Sequence, residues 1–300
     1  MSTSIQSETL VTPTIHPATR LGHVHYTTAD LDRQIAFYRD ILGFKLHWRE
    51  GASAGLGAGN EDLLRLTELP GARRARGTTG LYHTAFLVPT RWELAHLLKR
   101  IAETQTPIQG MTNHGTHYAI YLPDAEGNGI ELAWDFPKDR WPKTLAQMLQ
   151  NHRGLYPQEV FRALDENSVP WEGLSVDTKV GHVHLHVSQL GPTDHFYREV
   201  LGFEIPWDLT GAPREFAETA IFFAAGGYHH HIGTNVWHGV GAPPPPADAT
   251  GLRYYTILLP DEDALAQVVN RLTQAGIAAE HQGAGVLVHD PARNGVLLTC

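Results

Sequence analysis

The sequence predicts an α+β chain of four similar modules, each a strand, a helix and then further strands. Two observations carry this: blocks of sequence recur at fixed offsets, and each block switches from period-two to helical spacing of its apolar residues. Size sets the bound. With 300 residues, 42% of them hydrophobic and 18% charged, the chain has material for about two domains.

Gly22-His23-Val24-His25 returns as Gly181-His182-Val183-His184, 159 residues later, and the register then holds without a gap. Phe37-Tyr38-Arg39 recurs as Phe196-Tyr197-Arg198, and Ile41-Leu42-Gly43-Phe44 as Val200-Leu201-Gly202-Phe203. A second repeat relates Gly80-Leu81-Tyr82-His83 to Gly251-Leu252-Arg253-Tyr254 at offset 171. Its end, Asp124 through Asn128-Gly129-Ile130, matches Asp290 through Asn294-Gly295-Val296 at offset 166, so the last module is five residues shorter in its middle. The predicted order is a flexible tail (1–20), modules 1 (21–70) and 2 (80–135), a connector (136–179), and modules 3 (180–240) and 4 (251–300). In coarser terms, 21–135 and 180–300 hold two modules each.

Residues 23–27 and 182–187 alternate polar with apolar side chains, as half-buried strands do. Asp30 is placed to cap a helix whose stripe of Ile35, Tyr38, Ile41 and Leu42 stops at Gly43. Leu94, Leu97, Leu98 and Ile101 mark the helix of module 2, and Leu265, Val268, Val269 and Leu272, ending at Gly276, that of module 4. Later strands are predicted at 118–122, 130–134, 220–224, 285–289 and 295–299, with Asn-Gly supplying the positive φ of a hairpin turn in modules 2 and 4. The amphipathic stretch 145–149 suits a connector that packs against the modules. Pro243 to Pro246 read as a stiff spacer.

A formal charge of −9 argues against a general nucleic-acid or anionic-membrane partner. Cys300 is the one cysteine, so no intrachain disulfide forms. With no apolar run near membrane-spanning length and no cationic-then-apolar leader, a cytoplasmic location is expected. The unusual number is 19 histidines. His182, His184 and His186 share one strand face, as do His23 and His25, while Val183, Leu185 and Val187 take the other. His25, His47, His96, His152, His195, His238 and His281 read as solvated polar positions.

Gly-His-Val-His openings, Phe-Tyr-Arg helices and Leu-Gly-Phe turns in four βαβββ-like modules resemble the vicinal oxygen chelate superfamily over residues 21–300. That group includes glyoxalase I, fosfomycin-resistance proteins and type I extradiol dioxygenases. Gly80-Leu81-Tyr82-His83, residues 124–131 and the run Gly226-Gly227-Tyr228-His229-His230-His231-Ile232-Gly233 are most similar to bacterial catechol 2,3-dioxygenase-like proteins. The resemblance implies four βαβββ modules paired into two cup-shaped half-barrel domains. One cup is expected to hold a metal on a His from one module plus a His and a Glu from the other.

His83 and Glu131 stand at the places this pattern requires, whereas module 4 offers Tyr254 and Leu297 and has lost its site. The third ligand is then His182 or His23, each seven residues before the residue that starts its helix. Extradiol enzymes carry a further histidine late in the module of the first ligand, and His229, His230 and His231 fall there. Modules 2 and 3 are therefore expected to share the metal cup, with His182 as ligand, and modules 1 and 4 a structural cup. Sequential pairing would make His23 the ligand instead. The resemblance also implies catalytic roles for Tyr121, ten residues before Glu131, and for His114, with His117 in reserve. His184, His186, Trp134, Phe222, Trp237 and Tyr255 are expected near the substrate. Fe(II) is the implied cofactor, though the same donors accept Mn(II), Zn(II) or Co(II).

The implied activity is oxygen-dependent ring cleavage of a catechol- or hydroquinone-type diol; the implied partners are a small aromatic diol and O2, with further copies of the chain in a homo-oligomer. Three alternatives share the fold. A glyoxalase-like isomerase normally uses two glutamates, and the final strands of module 3 hold none. Fosfomycin-type thiol transferases have cationic sites, and Arg and Lys are sparse around these motifs. A non-enzymatic binding protein has no need of the combined His and Glu.

Overall fold

The computed structural model describes residues 14–166, 169–207, 212–213 and 217–300. Of the tail, residues 1–13 lie outside the described residues. Ile15 is buried, and its N–H donates to the Gly202 carbonyl.

Module 1 comprises β1 (Arg20–Thr28), α1 (Leu31–Ala36), β2 (Lys45–Glu50), β3 (Ser53–Gly57) and β4 (Asp62–Glu68). The Asp30 carboxylate caps α1 by accepting from the Arg33 N–H at 2.9 Å. Beyond Ala36 the helix widens into a π-type turn over Phe37–Ile41, and Gly43 leaves it at φ 75°. After the short β5 (Arg73–Arg74), module 2 supplies β6 (Gly80–Leu87), α2 (Arg91–Glu103), β7 (Gly110–Asn113), β8 (His117–Pro123) and β9 (Gly129–Asp135). The connector carries α3 (Leu145–Asn151), β10 (Arg153–Gly154) and α4 (Pro157–Phe161). Module 3 gives β11 (Lys179–His186), α5 (Leu190–Asp194), β12 (Ala220–Phe223) and β13 (Ile232–Asn235). Module 4 gives β14 (Ala249–Leu258), α6 (Glu262–Gln274), β15 (Glu280–Gln282), β16 (Gly285–His289) and β17 (Gly295–Thr299).

Two curled sheets result. One runs β15-β16-β17-β14-β1-β4-β3-β2 and the other β10-β7-β8-β9-β6-β11-β13-β12. Strands of modules 1 and 4 thus share one sheet, and those of modules 2 and 3 the other. Consecutive modules are tied differently, by loops that reach across. The buried Asp124 carboxylate accepts from Gln34 Nε2 at 2.8 Å and from the Tyr38 hydroxyl at 3.2 Å, and Asp290 accepts from the Tyr197 hydroxyl at 3.1 Å. Each aspartate also holds its own turn, accepting from the backbone N–H groups of Glu126 and Asn128, or of Ala292 and Asn294. With the turn gripped in this way, positive φ falls one residue earlier than the Asn-Gly motif suggests, at Gly127 (86°) and Arg293 (70°).

The core is continuous across the two sheets. Phe86, fully buried on β6, meets the rings of Phe44 at 5.0 Å and Tyr38 at 6.3 Å, both from module 1. Phe86→Ala is expected to lower unfolding free energy by about 3–5 kcal/mol, read from urea denaturation, because the site is walled on both sides and cannot collapse. No helix among the described residues is long and apolar enough to cross a membrane.

Candidate metal centre

In the second sheet, β11 pairs antiparallel with β6, placing His182 opposite Ala85 and His184 opposite His83. On the other side of β6, β9 runs parallel with Glu131 beside Ala85. Alternation along each strand then turns His83, Glu131 and His182 to one face. Oε2 of Glu131 lies 3.1 Å from Nε2 of His83 and 3.1 Å from Nε2 of His182. All three side chains are buried, and one donor atom from each lies within 4.8 Å of the others.

These residues fit a divalent cation. Nε2 of His83 is buried and lacks a hydrogen-bond partner, since its contact with Glu131 is close but poorly aligned. A buried orphan of this kind is costly, and a cation bound to its lone pair would satisfy it. Two imidazoles and one carboxylate also leave coordination positions open. The second oxygen of Glu131, Oε1, lies 3.0 Å from Nε2 of His117. Burial alone would raise the Glu131 carboxyl, but the charge of His182 and contacts from His117, His182 and His83 hold it well below the usual carboxylate range. Burial lowers His83 despite the neighbouring carboxylate.

Residues 20–132 and 179–292 match the model of the Glyoxalase/Bleomycin resistance protein/Dioxygenase superfamily. The chain belongs to this superfamily. It is 39% identical over 286 residues to a catechol-2,3-dioxygenase of Bacillus subtilis (strain 168), covering 92% of this chain and 95% of that protein. Over 124 residues it is 32% identical to biphenyl-2,3-diol 1,2-dioxygenase 3 of Rhodococcus globerulus, covering 39% of this chain and 63% of that one. Glyoxalase I of Zea mays shares the fold with a TM-score of 0.56 at 18% identity, over 94% of this chain and 92% of its own. The two sheets are thus the paired half-barrels of a vicinal oxygen chelate fold.

In this superfamily member a cavity of about 660 Å³ opens from the triad. Tyr121 and His114 line it together, sharing a 2.7 Å hydrogen bond between the phenolic oxygen and Nε2. Burial, then the Glu131 charge, pushes the Tyr121 hydroxyl well above its ordinary pKa, so it stays protonated. The His230 ring centroid is 4.2 Å from that of His182, and burial followed by the His182 charge holds its imidazole well below the usual histidine range. His229 also reaches the cavity, with Nε2 3.1 Å from Asp135 Oδ1. His229 and His230 line the same space because they precede β13, outside the reach of strand alternation. His184, Phe222 and Trp237 complete this part of the wall.

Four expected site residues lie elsewhere. His231 sits outside the cavity, its Nδ1 accepting from the Ala225 N–H at 3.2 Å. His186 shares a face with His184 but stands beyond Tyr82, stacked on His238 at 3.6 Å and bonded to Asn235 at 2.8 Å, where it lines a separate cavity. Trp134, three residues past Glu131, takes the opposite face of β9 and packs on Tyr118 and Phe136. Tyr255 is fully buried in the other half-barrel, its hydroxyl donating to that of Tyr197. His23, the alternative ligand, is in that half-barrel too, beside Tyr254 and Thr256.

Other wall residues escape a sequence reading. Leu81 pairs with Leu185 and His83 with His184, so Tyr82 is an extra residue on β6. This bulge turns Tyr82 into the cavity beside His83, although simple alternation would send it to the opposite face. His152, read as solvated, lines the cavity with its ring 5.0 Å from that of His114. His117, Asp135 and His229 form a second cluster of potential ligands. The rings of His117 and His229 are stacked at 4.9 Å and 16° from parallel, so their in-plane lone pairs do not converge, and the cluster reads as support for Glu131.

Proposed function

We propose that the chain is a metal-dependent extradiol dioxygenase, using Fe(II) to open the ring of a catechol- or hydroquinone-type diol with O2. The observation that carries this reading is the buried His83, Glu131 and His182 triad at the base of a cavity that also holds His230, Tyr121 and His114. The high identity to a catechol-2,3-dioxygenase over nearly the whole chain supports it. When bound by the triad, Fe(II) supplies open positions for both diol oxygens and O2 and an electron path between them.

The protein's own groups do the rest. His230, kept neutral by burial, is placed to accept the proton of a diol hydroxyl and to return a proton later, when the O–O bond breaks. The Tyr121 hydroxyl, kept protonated and oriented by His114, donates a hydrogen bond toward a substrate oxygen. His117, with Nε2 3.0 Å from the second oxygen of Glu131, is placed to influence how the carboxylate faces the ion.

The test is anaerobic reconstitution with Fe(II), addition of catechol and substituted hydroquinones, and then O2. The expected result is O2 uptake with a coloured ring-fission product. Tight Zn(II) binding with no O2 uptake on any diol would overturn the reading.

A further inference from the structure

The half-barrel without the triad has a cavity of its own. It holds about 600 Å³, against about 660 Å³ for the metal cup, and lies within the range of roughly 300–1,000 Å³ that small-molecule sites occupy. Residues of β1, β4, β14 and β16 line it, joined by His186 and His238 from module 3.

The two cups are built alike and furnished differently. On β14, Tyr254 pairs with His25 and Leu252 with Tyr26, so Arg253 is an extra residue on its strand, in the same kind of bulge that turns Tyr82 into the metal cup. Tyr82 and Arg253 are also repeat partners at offset 171. The bulge therefore places a guanidinium on this cavity where its counterpart places a phenol, while Tyr254 and Leu297 stand in for the ligands His83 and Glu131. Its charge is felt inside the cup: burial, and then Arg253, lower the His25 imidazole to about 3.

A second guanidinium lines the same space. Short strand β5 pairs with β14, setting Arg74 beside Thr250, and the Arg74 guanidinium occupies the room that a Cβ at position 127 would need, so Gly127 is what admits it. The one carboxylate among the described lining residues, Glu68, accepts from the Leu31 N–H at 3.0 Å. Two guanidinium forks on one cavity suit a carboxylate, since each can donate to both of its oxygens.

The histidines add acceptors. His186 and His238 stack at 3.6 Å, and Nδ1 of His238 lies 2.8 Å from the Thr78 carbonyl, to which it must donate. Nδ1 of His186 lies 2.8 Å from Asn235 Oδ1, an atom that also accepts from the Trp237 N–H, so this nitrogen donates too. Each neutral ring then keeps its Nε2 lone pair for a further donor. Burial, followed by His238, lowers His186 to about 4 and keeps it neutral near pH 7.

We infer that this cavity binds a small hydroxylated organic acid, its carboxylate on Arg74 and Arg253 and its hydroxyl donating to the His186 and His238 pair. The site is separate from the triad and independent of the chemistry there.

Calorimetric titration of the full chain with malate, succinate, glycerol and inorganic phosphate tests this. Malate is expected to bind more tightly than succinate, which lacks the hydroxyl, by roughly 2–10-fold, and more tightly than phosphate; glycerol, without a charge, binds weakest. Arg253→Leu and Arg74→Leu are each expected to weaken malate binding by about tenfold or more, and Arg253→Lys by less, because it keeps the charge and loses the fork. In His238→Ala the advantage of malate over succinate shrinks. In Glu131→Ala malate binding is unchanged, which places the bound acid away from the metal centre. Absence of malate binding, phosphate binding more tightly than malate, or equal affinity for malate and succinate overturns the inference. So does malate affinity that survives both arginine-to-leucine substitutions or disappears in Glu131→Ala.

Discussion

Glu131→Ala is expected to strip the metal and with it all activity. Glu131 supplies the only negative charge of the triad and is buried against three imidazoles, those of His83, His182 and His117. Without it a divalent ion would enter a cavity with no other carboxylate among its described lining residues to compensate its lost hydration. Outer partners of metal ligands already change affinity by about 10–100-fold, so loss of the carboxylate itself should exceed that range. Metal content after dialysis reads the effect directly. Glu131→Gln, which keeps the volume and loses the charge, separates this from collapse of the site and should lose metal as well. His182→Ala is expected to behave in the same way, whereas His23→Ala should retain wild-type metal content, since His23 lies in the other half-barrel beside Tyr254. Metal loss in His23→Ala alone would overturn the assignment of the ligands.

The arrangement of the triad follows from features that are written locally. Gly-His-Val-His and Gly-Leu-Tyr-His open strands β11 and β6, and the Asp-to-Asn-Gly turn fixes where β9 begins, so the face of each side chain follows from counting by two. That β6 lies against β11 rather than β1 is different in kind. Strand pairing between distant modules depends on the whole packing, and the short-range sequence contains no term for it. The His229 to His231 run suggested a pairing only through family resemblance.

What escaped reading lies where the simple period fails. The extra residue on β6 sends Tyr82 to the face of His83. His229 and His230 lie in a loop, and the period-two filter has no hold on them. Tyr255 is one of the aromatic residues expected near the substrate, but it belongs to module 4, in the half-barrel without the triad. The same strand position in a half-barrel without a carboxylate is filled by core, and Tyr255 instead bonds Tyr197. His152 and Met148 reach the cavity from the connector, whose path over the second sheet no repeat could reveal. The cross-module bonds from Gln34 and Tyr38 to Asp124 are likewise tertiary.

His230→Ala is expected to lower kcat by about 10²–10⁴-fold, the usual range for a lost general acid–base group, while leaving the metal in place. The two outcomes are separable because the ring of His230 packs beside His182 but takes no part in the triad. Its imidazole is neutral because burial, and then the neighbouring His182, disfavour the charged form, and a neutral imidazole lining the cavity beside the triad could take up a diol proton. His229 serves differently. Its Nε2 is engaged by Asp135 and its Nδ1 faces His230 at 2.9 Å, so it can orient His230 from behind. His229→Ala should therefore produce a smaller loss of kcat than His230→Ala. His231→Ala should leave kcat near that of the parent, because its ring bonds the Ala225 backbone away from the cavity. Steady-state O2 uptake on one diol, with metal content measured on each preparation, decides the order. A full-sized loss in His231→Ala with His230→Ala unaffected would move the proton-handling role to the other face of the histidine run and remove His230 from the mechanism.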